Sequence, residues 1–413
     1  MPGLGTPSTI GHLPALRALR HRYFRVLWIG LFVSAVGTWM QIVAQALLVL
    51  QITNGSAVAL GAVSLAQALA FFLFAPAGGA VADRLDRRRL LILTQSLLLM
   101  LAAGLGALTL FGLIRLWMIV AVAFCSGAAL SFDQPARSAL IASMVPREDL
   151  MNAIALQSIV FTGASTFGPA MAGVMVSAIG YAGNFFLNAV SYLAVLIALW
   201  GVPPAMPEAC GASEPLWSSV RAMLTTAGRD PVLPWIISGY GALLFLGPSP
   251  AVMLPVFAVR VLHLTASQMG FLFSAMGAGT ILGGLTVASL GDFRRKGLLF
   301  LAALLLWSAA LATFAASTLT ALSVAALLIL GVAQNAAGST AVTLMQTRVA
   351  PDMRGRIMSL NTLLVMGVRP LGDFPAGALI ATVGAPLTAG LSAVLTGAYS
   401  IFLALQRPGL RKA

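Results

Sequence analysis

Apolar runs of roughly 20 residues or more recur along the whole length of this chain, and few folds can accommodate them. No water reaches the backbone inside a bilayer, so each run must satisfy its own N–H and C=O groups by coiling into a helix. Twelve runs are separated by turn signals such as Asn54-Gly55, Pro203-Pro204 and Gly384-Ala385-Pro386. They cover about 26–51, 57–82, 89–113, 116–145, 151–178, 182–202, 232–259, 266–290, 297–316, 319–347, 355–383 and 386–406. Only 8% of the 413 residues are charged and 59% are hydrophobic, whereas a soluble domain carries about a quarter charged residues. The expected fold is an all-α membrane protein with twelve transmembrane helices.

The few charges are informative because of where they fall. A net charge of +13 would suit a nucleic-acid partner, but the arginines sit in short clusters between apolar runs and build no basic face, which excludes that class. An even helix count puts both termini on one side of the membrane. Twenty Lys and Arg residues fall on that side, from the tail at Arg17 to Arg25 through the loops at Arg84 to Arg89 and Arg348 to Arg356. The opposite loops hold only Arg115 and Arg260. The positive-inside rule therefore places both termini in the cytoplasm. The first run is longer than a signal-peptide core and reads as a retained helix. Cys125 lies in an apolar run and Cys210 in a polar loop, so no disulfide is expected; with three histidines and no ligand cluster, neither metal nor cofactor is expected.

The chain repeats itself. GASTFGPAMAG at 163–173 aligns with GVRPLGDFPAG at 367–377, pairing Gly163 with Gly367, Gly168 with Gly372 and Gly173 with Gly377. GGAVADRLDRRR at 78–89 lies opposite GGLTVASLGDFRRK at 283–296. The expected division is an N-terminal six-helix half over 1–202, a cytoplasmic linker over 203–230 and a C-terminal six-helix half over 231–413. Two parallel halves are a transporter architecture, with the substrate site between them near mid-membrane.

The loop after the second helix resembles motif A of the major facilitator superfamily. Gly79, Asp83, Arg84, Arg87 and Arg88 match, while Asp86 stands where the motif has its second glycine. Gly79 is expected to let a neighbouring helix approach closely, and Asp83 to cap a helix N-terminus. Gly168-Pro169-Ala170-Met171-Ala172-Gly173 looks like the antiporter motif of the fifth helix, with Ala172 in place of one glycine. The stretches at 131–158, 251–257 and 350–361 are similar to the branch of this superfamily that includes enterobactin export and macrolide efflux proteins. The resemblance implies secondary export of small molecules from the cytoplasm and does not specify the cargo. The expected protein is a monomer that exports small amphipathic, drug- or siderophore-like molecules across a bacterial inner membrane, with H+ as the coupling ion. One departure is Thr38, before Trp39, where members of that branch often carry an acid; any coupling role of that acid does not carry over.

Polar residues inside the runs are the candidate site. Thr38, Gln41 and Gln45 share one face of the first helix, and Gln334 and Asn335 lie in the tenth. Such amides line a wet cavity or bond between helices. Asp133 with Arg137, and Arg369 with Asp373, are spaced as i, i+4 ion pairs. Charges in hydrocarbon cost a few kcal/mol or more, so they are expected to face the bundle interior and to serve transport. Pro370 and Pro375 should bend the eleventh helix. Asp373 is expected to take up and release the coupling proton as movement parts it from Arg369. A membrane enzyme would need a clustered catalytic set that the apolar runs lack. The alternative within transport is a passive facilitator, or an importer of a small metabolite. A reporter enzyme active only in the periplasm, fused to the C-terminus, is expected to stay inactive; strong activity would overturn the orientation.

Overall fold

The runs coil as the backbone argument requires. The computed structural model describes residues 14–82, 84–203, 230–290, 293, 295–349 and 353–411, and among them every long element is a helix. The first half holds α1 (Arg22–Ile52), α2 (Ala57–Ala82), α3 (Arg87–Leu110) and α4 (Leu116–Met144). The next element, Leu150–Trp200, has 51 residues and would span roughly 75 Å if straight, against a hydrocarbon core of roughly 30 Å. Gly180 breaks it at φ 71°, a backbone region that favours glycine. The element therefore makes two crossings, α5 (150–179) and α6 (181–200).

In the second half, α7 spans Leu233–Arg260 but is interrupted after Leu246 and restarts at Pro250. Then come α8 (Ala266–Ser289), α9 (Lys296–Ala316) and α10 (Thr320–Thr347). α11 begins as Arg354–Leu363, widens into a π-type turn at Leu364–Val368 and continues as Arg369–Val383. The cause is Pro370, which offers no N–H and whose ring crowds the carbonyl one turn back; the widened turn absorbs both defects. α12 is Ala385–Gln406. Gly384, at φ 89°, joins α11 to α12 just as Gly180 joins α5 to α6. Among the described residues, the eleven long apolar helices thus make twelve crossings. The linker expected over 203–230 lies almost wholly outside the described residues.

Glycine contacts show the internal repeat in three dimensions. A Cβ on Gly168 would meet Trp39 Cβ of α1 at 2.6 Å, and one on Gly372 would collide with the Phe245 carbonyl of α7. A Cβ on Gly173 would meet the Ala266 carbonyl of α8 at 2.6 Å, and one on Gly377 the Ala57 carbonyl of α2, also at 2.6 Å. Each helix of the pair thus presses one glycine on its own half and one on the other half. Within halves, Gly78 lies against Ser131 of α4 and Gly283 against Val332 of α10. Outward faces carry exposed Leu93, Met100, Ile197 and Val394, an apolar surface suited to lipid.

Asp230 anchors the start of α7. Its carboxylate accepts from the Val232 and Leu233 backbone at 2.7 and 2.8 Å and lies 3.4 Å from Arg348 at the end of α10. Burial alone would raise the Asp230 pKa, but these hydrogen bonds and the guanidinium outweigh it and hold it below the usual value.

The close-approach role expected of Gly79 belongs to its neighbour. Nothing lies within 4 Å of a Cβ on Gly79. One residue of rotation, about 100°, turns Gly78 onto α4 and leaves Gly79 on the open face. Gly78→Ala should therefore lower the thermal unfolding midpoint by the equivalent of about 1–3 kcal/mol. Gly79→Ala should leave it unchanged or raise it slightly. Equal effects of the two would contradict this packing.

Candidate functional site: the seam between the halves

Two helix pairs make most of the contact between the halves, α2 with α11 and α5 with α8, and the restarted part of α7 also touches α1 and α2. Small residues bring their backbones together: a Cβ on Gly61 would meet the Asp373 carbonyl at 2.9 Å, and one on Gly270 the Pro169 carbonyl at 2.6 Å. Hydrogen bonds cross the seam at the end of the bundle away from both termini. Arg260 donates to the Asn54 carbonyl at 3.3 Å, and Ser267 to the Gly173 carbonyl at 3.2 Å. Ser177 and Ser267 share a hydrogen bond of 2.9 Å, and Ser274 donates to the Thr166 carbonyl at 2.6 Å. Gly168, Pro169 and Gly173 of the expected gating motif therefore sit in this contact, between α5 and its neighbours α1 and α8.

Asp373 is the charged member of the seam. It is 2% exposed. Its Oδ2 accepts from Ser64 Oγ of α2 at 2.6 Å, and its Oδ1 from the Ser249 backbone N–H at 2.9 Å. Ser249 lies between Pro248 and Pro250, neither of which has an N–H, so the break in α7 leaves one local donor and aims it at the carboxylate. The restarted half of α7 also turns its positive dipole end toward Asp373.

The expected Arg369–Asp373 ion pair is absent among the described residues. Helical side chains point back toward the helix N-terminus, so an Arg placed four residues before an Asp reaches away from it. Arg369 is half-buried, its Nε is buried without a hydrogen-bond partner, and its charge acts on Tyr240 of α7. The reverse order, Asp133 before Arg137, is the favourable one, and that pair does form in α4. Asp133 is fully buried and also accepts from Thr94 at 3.1 Å and Gln95 at 2.7 Å, both on α3.

A polar chain continues through the first half. Tyr192 of α6 lies in the field of Asp133 and Arg137 and shares a hydrogen bond of 3.2 Å with Thr38. Asn188 donates to Gln41 at 2.6 Å. Thr38 and Gln41 thus spend polar atoms on α6. Gln45 and Gln334 are half-buried, and Asn335 accepts from Ser339 at 3.0 Å.

Of the motif after α2, Asp83 lies outside the described residues, and Arg84 is exposed. Arg88 donates to the Leu199 and Trp200 carbonyls at 2.9 and 3.1 Å, capping the end of α6. Arg87 reaches the Ala139 carbonyl of α4 at 3.4 Å, and Asp86, where the motif has glycine, accepts from the Arg88 N–H and caps α3. These contacts tie the loop to its own half.

Sequence reasoning missed Ser64, Ser249, Thr94, Gln95 and Tyr192. The Pro248-Ser249-Pro250 interruption within an apolar run was the one available signal. Asp133→Ala would leave the half-buried Arg137 unpaired and strand two donors. It should destabilise the protein by about 3–5 kcal/mol, with part of the loss recovered in the Asp133→Ala, Arg137→Ala double variant. Thermal unfolding in detergent measures both, and a neutral single variant would refute the account.

Comparison with known proteins agrees with this architecture. The family described as transmembrane secretion effector, within the major facilitator superfamily, matches residues 14–410. The enterobactin exporter EntS of Citrobacter koseri is 27% identical over 377 residues, covering 91% of this chain and 89% of that protein. EntS of Shigella flexneri is also 27% identical, over 91% and 88%. Among solved structures, a bacterial homolog of the human lysosomal transporter Spinster, inward-facing and occupied, has a TM-score of 0.74 at 14% identity, covering 96% of this chain and 99% of that one. A bacterial homologue of the iron transporter ferroportin, inward-facing, has a TM-score of 0.69 at 18% identity, over 93% and 99%. A mutant of the nucleoside transporter NupG has a TM-score of 0.73 at 15% identity, over 94% and 100%. With two six-helix halves meeting along α2–α11 and α5–α8 and a family match over nearly its whole length, the chain is a membrane transporter of the major facilitator superfamily and belongs to its transmembrane secretion effector family.

Proposed function

We propose that this transporter exports small amphipathic molecules from the cytoplasm across the bacterial inner membrane in exchange for protons, by alternating access. The observation that carries the reading is Asp373, a buried carboxylate on the seam whose partners come from both halves. A proton there changes the bonding between the two bodies that must move. The relatives named as enterobactin exporters support the outward direction. The state described is read as inward-facing. The cross-seam bonds at the end away from the termini support this, as do the two similar folds described as inward-facing.

Arg369 is the proposed contact for an anionic group on the cargo. Its buried Nε has no acceptor among the described residues, and a buried donor left unmade is costly enough to favour an incoming one. The asymmetry between halves supports a functional reading. Where the eleventh helix carries Arg369 and Asp373, the matching positions of the fifth carry Ser165 and Pro169.

The test uses inside-out vesicles with an imposed pH gradient and a panel of anionic and neutral compounds. Asp373→Asn should abolish uphill export and spare binding. Arg369→Ala should weaken binding of anionic compounds about tenfold or more and leave neutral ones little changed. If Asp373→Asn still drives export against a gradient at the normal rate, the proton is carried elsewhere, with Asp133 next to examine.

A further inference from the structure

We propose that Ser64 is a positioning residue for transport, a bolt across the seam that Asp373 holds when ionised and releases when protonated. The proposal rests on the alternating-access reading and adds to it the contact by which a proton on one half reaches the other.

Serine and threonine hydroxyls in this protein turn mostly to the carbonyl three or four residues back in their own helix. Thr38 bonds Ser34, Ser143 bonds Leu140, Ser308 bonds Leu304 and Ser400 bonds Thr396. Ser64 instead donates across 309 positions of sequence to Asp373. The Leu60 carbonyl, one turn back, remains its fallback acceptor. A hydroxyl with a second partner in reach leaves the first at little cost, which suits a contact that must open and close.

The two donors on Asp373 are not equivalent. The Ser249 N–H belongs to the backbone of a helix start and cannot rotate, whereas the Ser64 hydroxyl can. A proton arriving on Oδ2 ends the charge-assisted bond, so that Ser64 keeps only a neutral contact or turns its hydrogen to the Leu60 carbonyl, while the Ser249 bond stays. With Asp373 ionised the bond to Ser64 is charge-assisted, and such bonds are roughly twice as strong as neutral ones.

The surroundings isolate this exchange. α2 carries no titratable side chain between Ala57 and Ala82. The other titratable or charged groups on the helices around Asp373 are Tyr240 and Arg260 on α7, Tyr399 on α12, and Arg369, Arg354 and Arg356 on α11 itself. The bolt also sits where the backbones of α2 and α11 approach closely. Gly61, one turn before Ser64, touches the Asp373 and Phe374 backbone, and Gly377, one turn after Asp373, touches Ala57. Parting Ser64 from Asp373 therefore parts the two backbones.

The experiment measures distance across the far end in a chain with Cys125→Ser and Cys210→Ser. Spin labels go on cysteines at Leu113 and Leu319, exposed positions in the far loops of the two halves (60% and 67%). In liposomes the parent protein should show a short distance at pH 8 and gain a longer one at pH 5. Ser64→Ala should raise the longer population at pH 8 about tenfold. The isosteric pair separates the hydroxyl from packing: Ser64→Thr should behave as the parent and Ser64→Val as Ser64→Ala. Parent-like distances in both Ser64→Ala and Ser64→Val overturn the bolt. If both open the far end while Asp373→Asn still exports uphill at the normal rate, the bolt stands and the proton reading falls. If Asp373→Asn loses uphill export while Ser64→Ala and Ser64→Val keep parent distances, the proton reading stands and the bolt falls.

Discussion

Hydrocarbon offers no hydrogen-bond partner, and the organisation of this molecule depends on that fact from single side chains to whole halves. Backbone groups are satisfied by coiling. Most hydroxyls are satisfied by folding back on their own helix. Carboxylates have no such local solution, and the two that lie within the spanning helices, Asp133 and Asp373, are met in different ways. Asp133 is closed within one half by an arginine on its own helix and two donors from α3. Asp373 has no cation bonded to it and draws one donor from each half. The first arrangement holds a bundle together, because nothing in it changes when the halves move. The second cannot survive their separation unchanged.

Several close contacts across the seam are made by backbones, although the Phe72 ring of α2 also seats against Gly367 of α11. Ala57 meets Gly377, Gly61 meets Asp373, and Pro169 meets Gly270, each through a main-chain atom. At such points the surfaces separate without side chains having to withdraw from pockets. They also lack the lateral play of a flexible core, so opening is better described as one body rocking on another than as local softening.

The crossings, their breaks at Gly180 and Gly384, and the internal repeat were legible in the sequence because period, length and turn chemistry are local properties. The seam glycines were legible as a repeated pattern, although the pattern alone did not say which of Gly78 and Gly79 faces a neighbour. The Arg369–Asp373 reading failed for a physical reason. Spacing of four is symmetric in sequence, but helical side chains lean one way, so Asp133–Arg137 closes and Arg369–Asp373 does not. Ser64 was illegible. A lone serine in an apolar helix looks like any other until the fold brings Asp373 beside it.

The one-residue junctions at Gly180 and Gly384 have a mechanical consequence. α5 and α11 are among the helices that each half presents to the other, and each is joined to the next helix, α6 or α12, by a single glycine. So short a junction leaves no slack. A tilt of α5 against α8 must carry α6 with it, and a tilt of α11 against α2 must carry α12. The lipid-facing helices are thus coupled to the seam as a lever is to its fulcrum, and membrane thickness or lateral pressure acting on α6 and α12 is felt where the two halves part.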